Sequence, residues 1–303
     1  MSSPKVVVVG SLHYDIMVQA SDRPRKGETL AGRAWWPKSG GKGGNQAVAA
    51  ARAGADVRMV GVVGDDHFGA ALLANLAAAG VDRSGVRVSR TEASGMSVAI
   101  IDSAGDYGAV IVSGANLALA EPDLPAAAQF SGTVLVLQNE IAEAANLAAA
   151  RRARAAGARV ILNAAPARPL DRALATCIDI LVVNGVEAEM LGGGAVATLA
   201  DARRAARTLS ATVATVVVTA GGAGVAAHGP GIDLSLPAEP VEVQSTHGAG
   251  DCFVGVLAAH LAAGAALPAA IAAANAAAAR LVATAESDRG ARSATQTLSR
   301  DPP

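Results

Sequence analysis

The chain has 303 residues, of which 51% are hydrophobic and only 2% aromatic, so alanine, valine and leucine must fill its core. That length suffices for one large α/β domain with a small appendage, or for two domains. Lysine and arginine (25) nearly balance aspartate and glutamate (26), which excludes the global basic field that attracts nucleic acid or anionic membranes. The two cysteines, Cys177 and Cys252, exclude a disulfide framework and favour a reducing, cytoplasmic compartment.

The first predicted element is the strand Val6–Val9, a β-branched run typical of strands that are buried on both faces. Two later blocks, about residues 13–38 and 95–114, contain short alternating segments and turn residues without a helical period. These blocks predict a small antiparallel sheet, a lid that stands beside the main body.

Strand-like and helix-like segments alternate through the rest of the chain. Strands are predicted at 57–63, 133–137, 159–162, 180–183 and 215–219, and alanine-rich helices at 142–156 and 200–209. This alternation predicts an α/β fold, a single domain over 1–303 whose central, mainly parallel sheet has helices on both faces. The apolar stretch 254–285 is interrupted by His260, Gly264 and Pro268, which favours two buried helices over a membrane span.

The sharpest chemical signal is Gly248-Ala249-Gly250-Asp251, which directly precedes a helix-like run. Glycines let the backbone approach a ligand closely, and the free N–H groups of a first helical turn form an anion site. An aspartate there would repel phosphate in the ground state. Its presence is explained if it takes the proton from a hydroxyl that attacks the phosphoryl group. The alternative is that Asp251 only caps the helix.

A second glycine-rich run covers residues 39–47 and leads into another predicted helix. It is not a Walker A loop, because Lys42 is followed by Gly43 rather than by serine or threonine. The run is interpreted as a close-approach loop that presents Lys42 and Asn45 to a polyhydroxyl ligand. A flexible hinge with a solvated lysine is the alternative.

Five motifs in chain order resemble the ribokinase-like (PfkB) family of sugar kinases, most closely its ribokinase branch. They are Gly10-Ser11 with Asp15, the run Gly40 to Val48, Asn184 to Glu187, Thr219 to Gly224, and Gly248 to Asp251. The resemblance implies an ATP-dependent kinase that phosphorylates a small sugar, ribose-like, and that uses magnesium. It also implies a homodimer paired through the lid; neither nucleic acid nor membrane is an expected partner.

The resemblance also implies a role for each matching residue. Asp251 would be the catalytic base, and the amides of Ala249, Gly250 and Asp251, after the turn at Gly248, would hold the migrating phosphoryl group. The implied sugar ligands are His13, Asp15, Gly41, Lys42, Asn45, Glu140 and Asp251. The implied ATP-binding residues are Asn184, Thr219, Gly221, Gly224, Gly250 and Asn275. Asn184 and Glu187 would organise magnesium through its waters.

Two positions depart from the family pattern. His13 stands where ribokinases usually carry asparagine, so the sugar itself stays open. Ser245 stands where potassium-dependent members usually carry aspartate, so a monovalent cation site at Ser245, His247 and Gly290 is uncertain.

The same residues also bear on functions other than a ribose-like kinase. A nucleoside kinase or a modified-hexose kinase of the same family is the alternative, because His13 alters the pocket. A sugar-binding protein without catalysis is disfavoured because Asp251 and its glycines are present. An NAD-dependent enzyme is disfavoured because Gly10-Ser11-Leu12-His13 follows the first strand in place of a dinucleotide fingerprint.

Overall fold

The structure, a computed structural model, describes residues 5–103 and 107–285. Its strands, in chain order, are β1 (Val6–Val9), β2 (His13–Gln19), β3 (Ala34–Gly40), β4 (Val57–Gly64), β5 (Asp82–Ser89), β6 (Gly95–Ile101), β7 (Tyr107–Val112), β8 (Val134–Gln138), β9 (Arg159–Asn163), β10 (Ile180–Asn184), β11 (Thr215–Thr219), β12 (Val225–Gly229) and β13 (Ile232–Leu236). Its α-helices are α1 (Lys42–Arg52), α2 (His67–Ala78), α3 (Glu143–Ala155), α4 (Arg172–Ala175), α5 (Gly185–Met190), α6 (Leu199–Leu209), α7 (Ala249–Ala262) and α8 (Leu267–Val282).

Nine strands form the main sheet in the order β13-β12-β11-β10-β9-β8-β1-β4-β5. Pairing is parallel from β11 to β5, whereas β12 and β13 add an antiparallel hairpin at one edge. The predicted α/β fold with a mainly parallel sheet is confirmed. The hairpin and β5 were not predicted. β5 and β13 are edge strands with several exposed residues, and the apolar run of β12 has only three residues, so none has the long apolar run of a buried strand.

Two cores cover the two faces of this sheet, and β1 divides its side chains between them. Val7 and Val9 belong to the core under α3 and α6, while Val6 and Val8 belong to the core under α1, α2, α7 and α8. Successive side chains of a strand point to opposite faces, so an uninterrupted valine run serves both cores. Many of the helix residues on either face are alanines, as the low aromatic content requires.

A second sheet of four strands, in the order β3-β2-β6-β7, forms from the two predicted blocks. Its outer pairings, β3 with β2 and β6 with β7, are antiparallel, and its central pairing, β2 with β6, is parallel. Each block is therefore a hairpin, and the two hairpins join through their inner strands. We call this second sheet the lid sheet.

The apolar stretch near the C-terminus forms α7 and α8, two helices that pack on the main sheet and on each other. Among the described residues, none of the helices is long and apolar enough to span a membrane. The interpretation of this stretch as two buried helices is confirmed.

Candidate active site

A cavity of about 730 Å³ opens where the parallel strands end. Its floor includes Glu140, Asn163 and Asn184, which follow or end β8, β9 and β10, and one wall is the first turn of α7. The lid sheet supplies another wall, with side chains such as Asp15 and Ser97. Ligands of open α/β sheets bind beyond the carboxyl ends of the strands, and most of the predicted site residues line this cavity.

Asp251 lies in the first turn of α7, but it does not cap that helix. The N-cap residue is Gly248, whose φ of 79° favours glycine, and no side chain caps the start of the helix. The Asp251 carboxylate instead accepts hydrogen bonds from Asn45 Nδ2 and Gln46 Nε2, both at 2.9 Å. The capping alternative for Asp251 is therefore wrong. The amide of Ala249 already donates to Thr246 O at 3.2 Å, so it is engaged within the turn.

The environment of Asp251 acts on its protonation in both directions. Burial raises the pKa of this carboxyl, and the negative charge of Glu140 adds to that effect. Lys42 and the two amide donors act the other way, because they favour the ionised form. A buried carboxylate with a raised pKa and three stabilising neighbours is typical of a group that exchanges a proton.

Glu140 anchors the glycine-rich loop to the end of β1. Its Oε2 accepts a hydrogen bond from Ser11 Oγ at 2.5 Å and another from the backbone amide of Lys42 at 2.9 Å. His13 Nδ1 lies 3.7 Å from the same oxygen. His13 is only 3% exposed, and its Nε2 has no hydrogen-bond partner among the described residues.

Asp15 lies on the lid-sheet side of the cavity. Burial raises the pKa of its carboxyl, and the hydrogen bond that Ser97 Oγ donates to Oδ1 at 2.5 Å opposes this rise. His13, His247 and Lys38 also favour the ionised form. The cavity therefore has carboxylates from three different parts of the fold, namely Asp15 on the lid sheet, Glu140 after β8 and Asp251 in α7.

The glycines at the start of α1 are closely packed and do not form a flexible hinge. A Cβ at Gly41, which has a φ of 82°, would lie 2.7 Å from His13 N, and one at Gly43 would lie 2.6 Å from Ser11 N. Only glycine permits this approach. The packing brings Lys42 and Asn45 to the cavity, so the hinge alternative is not supported.

A second cavity of about 450 Å³ adjoins the first across the start of α7. It has mainly apolar walls, including Val241 and Phe253, and Thr219, Ala249 and Gly250 line both cavities. The predicted nucleotide residues at this second cavity are Thr219, Gly221, Gly224, Gly250 and Asn275. Asn275 Nδ2 donates to Pro237 O at 2.9 Å, so this amide also holds the loop that follows β13.

Asn184 and Glu187 form a reciprocal cap at the start of α5. Asn184 Oδ1 accepts from the Glu187 amide and Glu187 Oε2 accepts from the Asn184 amide, both at 2.8 Å. Burial raises the pKa of Glu187, and Asp251 adds to the rise while Lys42 and the Asn184 amide oppose it. Both residues line the first cavity. One carboxylate with room for water and phosphate oxygens fits magnesium, and the described residues contain no cluster of three acidic, histidine or cysteine side chains for a metal.

The predicted cation site is described only in part. The Ser245 amide donates to Val282 O at 3.2 Å, and the His247 amide donates to Ser245 Oγ at 3.3 Å. Both residues line the first cavity. Gly290 lies outside the described residues.

Comparison with known proteins identifies the family. The family model described as pfkB family carbohydrate kinase matches residues 3–293. The chain belongs to this family. The motifs predicted an enzyme that phosphorylates a sugar with ATP. That prediction is confirmed.

Relatives of this carbohydrate kinase include ribokinases and a deoxyribokinase. Mouse ribokinase is 38% identical over 263 residues, which cover 85% of this chain and 81% of the relative. A deoxyribokinase of Salmonella typhi is 34% identical over 257 residues, 84% of each chain. The structure of Arabidopsis thaliana ribokinase complexed with ribose and ATP matches with a TM-score of 0.84 and 30% identity, over 93% of this chain and 94% of that one.

Four polar residues of the kinase site had no predicted role: Ser11, Gln46, Ser97 and Asn163. Gln46 and Asn163 are buried polar residues that adjoin apolar stretches of the sequence. A polar residue at such a position is unusual, and this is the sequence signal that could have indicated a role. Ser11 and Ser97 contact acidic residues that are distant in sequence. Only the folded chain reveals those partners.

Proposed function

We propose that this carbohydrate kinase transfers the γ-phosphoryl group of ATP to a hydroxyl of ribose or of a closely similar sugar, with Asp251 as the general base. One observation carries the proposal. Asp251 lines the first cavity, and its neighbours Ala249 and Gly250 in the first turn of α7 line both the first cavity and the more apolar second one. A sugar in the first cavity and a nucleotide in the second would meet at this carboxylate.

Asp251 would accept the proton of the attacking hydroxyl as the oxygen bonds to phosphorus. A sugar hydroxyl is a weak nucleophile, and a positioned base accelerates such a step by about 10² to 10⁴. The first-turn amides of Gly250 and Asp251, together with the helix dipole, would stabilise the charge on the migrating group. Lys42 faces the same region and would add a positive charge.

The sugar would be held by groups from both walls of the first cavity. Asp15 and Glu140 accept hydrogen bonds from hydroxyls, whereas Lys42 and Asn45 donate them. His13 adds an imidazole whose Nε2 lacks a partner among the described residues. Holding the acceptor hydroxyl in line with the phosphoryl group removes much of the entropic barrier of a two-substrate reaction.

Asn184 and Glu187 would hold magnesium through its waters, beside the ATP phosphates. When bound, this ion neutralises charge on the phosphate oxygens. Glu187 is suited to the role because its carboxylate lines the cavity and Asn184 fixes its orientation. Thr219, Gly221, Gly224 and Asn275 would line the nucleotide side, where apolar walls suit a purine base.

We also propose that two chains pair through their lid sheets. The edge strands of that sheet, β3 and β7, carry exposed apolar side chains, among them Trp35 (68% exposed) and Val110 (70% exposed). Open sheet edges with apolar side chains tend to be covered by another chain. Sedimentation at micromolar concentration tests this pairing. A monomer would contradict the dimer and leave the proposed kinase activity unaffected.

A cytoplasmic location stays a prediction.

The acceptor sugar is tested by ATP turnover against ribose, deoxyribose, a set of hexoses and a set of nucleosides. Relatives named for ribose and deoxyribose support the pentoses. We expect the highest kcat/KM for a pentose. Preference for a nucleoside or a modified hexose would favour the alternative function, and the absence of turnover with every acceptor would contradict the proposal.

A further inference from the structure

Two neighbouring side-chain amides of α1 hold the carboxylate of Asp251. Asn45 Nδ2 donates to Oδ2 and Gln46 Nε2 donates to Oδ1, each at 2.9 Å. The two oxygens therefore each receive one donor, and each keeps a second lone pair. Asn45 is a predicted sugar ligand. Gln46 is fully buried and does not line the cavity, so it does not contact the sugar and its role must lie in its contact with Asp251.

A chain of buried amides fixes the orientation of the Gln46 side chain. The chain begins at Val182 O, a backbone carbonyl that only accepts, which receives Asn163 Nδ2 at 3.2 Å. Asn163 Oδ1 therefore faces Gln46 and accepts from its Nε2 at 3.0 Å. Gln138 Nε2 donates to Gln46 Oε1 at 2.7 Å. Gln46 and Gln138 are completely buried, so bulk water does not compete for these bonds.

The opposite orientation of the Gln46 amide is unfavourable at three contacts. Rotation by half a turn would bring Oε1 against Asn163 Oδ1 and against the Asp251 carboxylate. It would also bring Nε2 against the donor group of Gln138. A buried polar group that loses its partner destabilises the fold, because no water replaces the lost hydrogen bond. The backbone carbonyl of Val182 thus determines, through Asn163, that Gln46 presents a donor to Asp251.

We propose that Gln46, oriented by Asn163, is a positioning residue that keeps Asp251 an ionised acceptor and directs its free lone pair at the sugar hydroxyl. The proposal rests on the proposed role of Asp251 as the base. Hydrogen bonds to a carboxylate favour its charged form. This support is needed because burial raises the pKa of Asp251. Of the charged groups that face it, Lys42 on α1 favours ionisation, and Glu140 after β8 and Glu187 on α5 oppose it.

The test compares the pH dependence of kcat/KM for the sugar in wild-type protein and in two variants. Gln46→Glu keeps the shape of the side chain but places a second acid beside Asp251, and two neighbouring carboxyls share one proton. We expect the acidic limb to move up by one pH unit or more, with a loss of at least tenfold at pH 6 that largely recovers at pH 9. Gln46→Met removes the donors without adding an acid, and its limb should move in the same direction by less.

Asn146→Asp is the matched control. Asn146 is a buried amide that donates to Gln138 O at 2.8 Å, and within the described part of the chain no hydrogen bond joins its side chain to Gln46 or Asp251. An acid at this position should lower the midpoint of thermal unfolding. The acidic limb of the pH profile of kcat/KM should stay where it is in the wild-type protein. A loss of activity in the Gln46 variants that is equal at every pH would overturn the proposal, because a purely structural role predicts that result.

Two further measurements cover the remaining outcomes. If neither Gln46 variant folds, the wild-type protein labelled with ¹⁵N-glutamine decides. The Gln46 side-chain amide should then titrate with the same midpoint as kcat/KM, and an amide signal that does not titrate overturns the proposal. Asp251→Asn separates this inference from the proposed function. If that variant keeps its activity, the base assignment fails; if it is inactive while the Gln46 variants show no shift, only the positioning role fails.

Discussion

His13 Nδ1 lies 3.7 Å from Glu140 Oε2, at the edge of the proposed sugar pocket. The carboxylate oxygen already accepts hydrogen bonds from Ser11 and from the Lys42 amide, while His13 Nε2 has no partner among the described residues. A buried nitrogen without a partner costs stability. A ligand hydroxyl that reaches it would gain a hydrogen bond, so the imidazole is placed to affect which sugar binds.

Replacement of His13 by asparagine should shift substrate preference toward ribose. An amide is shorter than an imidazole and has both a donor and an acceptor at its end. We expect the ratio of kcat/KM for ribose to that for the other sugars to rise several-fold, which corresponds to about 1 kcal/mol of transition-state binding. His228→Asn, outside the cavity, is the matched control. An unchanged sugar profile would exclude His13 from sugar recognition.

Asp251→Asn should lower kcat by about 10² to 10⁴, because the variant has no base for the sugar hydroxyl. Sugar affinity should stay within a few-fold of wild type, since Asp15 and Glu140 remain. Calorimetric titration with sugar and steady-state turnover measure the two effects. Asp201→Asn, at a position that lines neither cavity, is the control. A variant that keeps more than about a tenth of wild-type turnover would contradict the mechanism.

Asp15→Asn should stabilise the unliganded protein near neutral pH while weakening sugar binding. Burial raises the pKa of Asp15, so the folded protein binds this proton more tightly than the unfolded chain. The ionised carboxylate therefore costs stability above its folded pKa, and the cost disappears below the unfolded pKa of about 3.9. We expect the midpoint of thermal unfolding to rise by about 2 °C at pH 7.5, and this gain to vanish near pH 4.

Asp82→Asn provides a control of opposite sign for that experiment. Burial alone would raise the pKa of Asp82, but hydrogen bonds from Ser84 and Arg58 outweigh it and lower the pKa. Its charge therefore stabilises the fold above the unfolded pKa, and that contribution is lost as the pH falls. Asp82→Asn should lower the unfolding midpoint at pH 7.5. If both variants shift the midpoint in the same direction, burial of Asp15 is not the cause.

Local patterns predicted much of the fold and the central feature of the site. The valine run of β1 indicated a buried parallel strand, and Gly248 and Gly250 indicated a close backbone approach beside Asp251. The contacts of that carboxylate could not be predicted in the same way. Gln46 lies 205 positions before Asp251 in the chain, and the sequence around either residue does not indicate that the two are in contact. The antiparallel hairpin β12–β13 was missed because the apolar run of β12 is only three residues long and β13 alternates apolar with polar residues.

The last prediction concerns potassium at the loop before α7. Potassium is large and weakly hydrated, so it needs a cage of oxygens, and a carboxylate in that cage contributes the only full charge. Ser245 supplies a hydroxyl where potassium-dependent relatives would supply that charge. Its Oγ already accepts the His247 amide at 3.3 Å.

We therefore expect potassium to activate turnover by less than tenfold relative to a large inert cation at the same ionic strength. Ser245→Asp should increase the response, because it restores the charge beside the same backbone carbonyls. Turnover of both proteins is measured over a range of potassium concentrations. A wild-type response of tenfold or more, about 1.4 kcal/mol in the barrier, would mean that backbone carbonyls suffice to hold the ion without the aspartate.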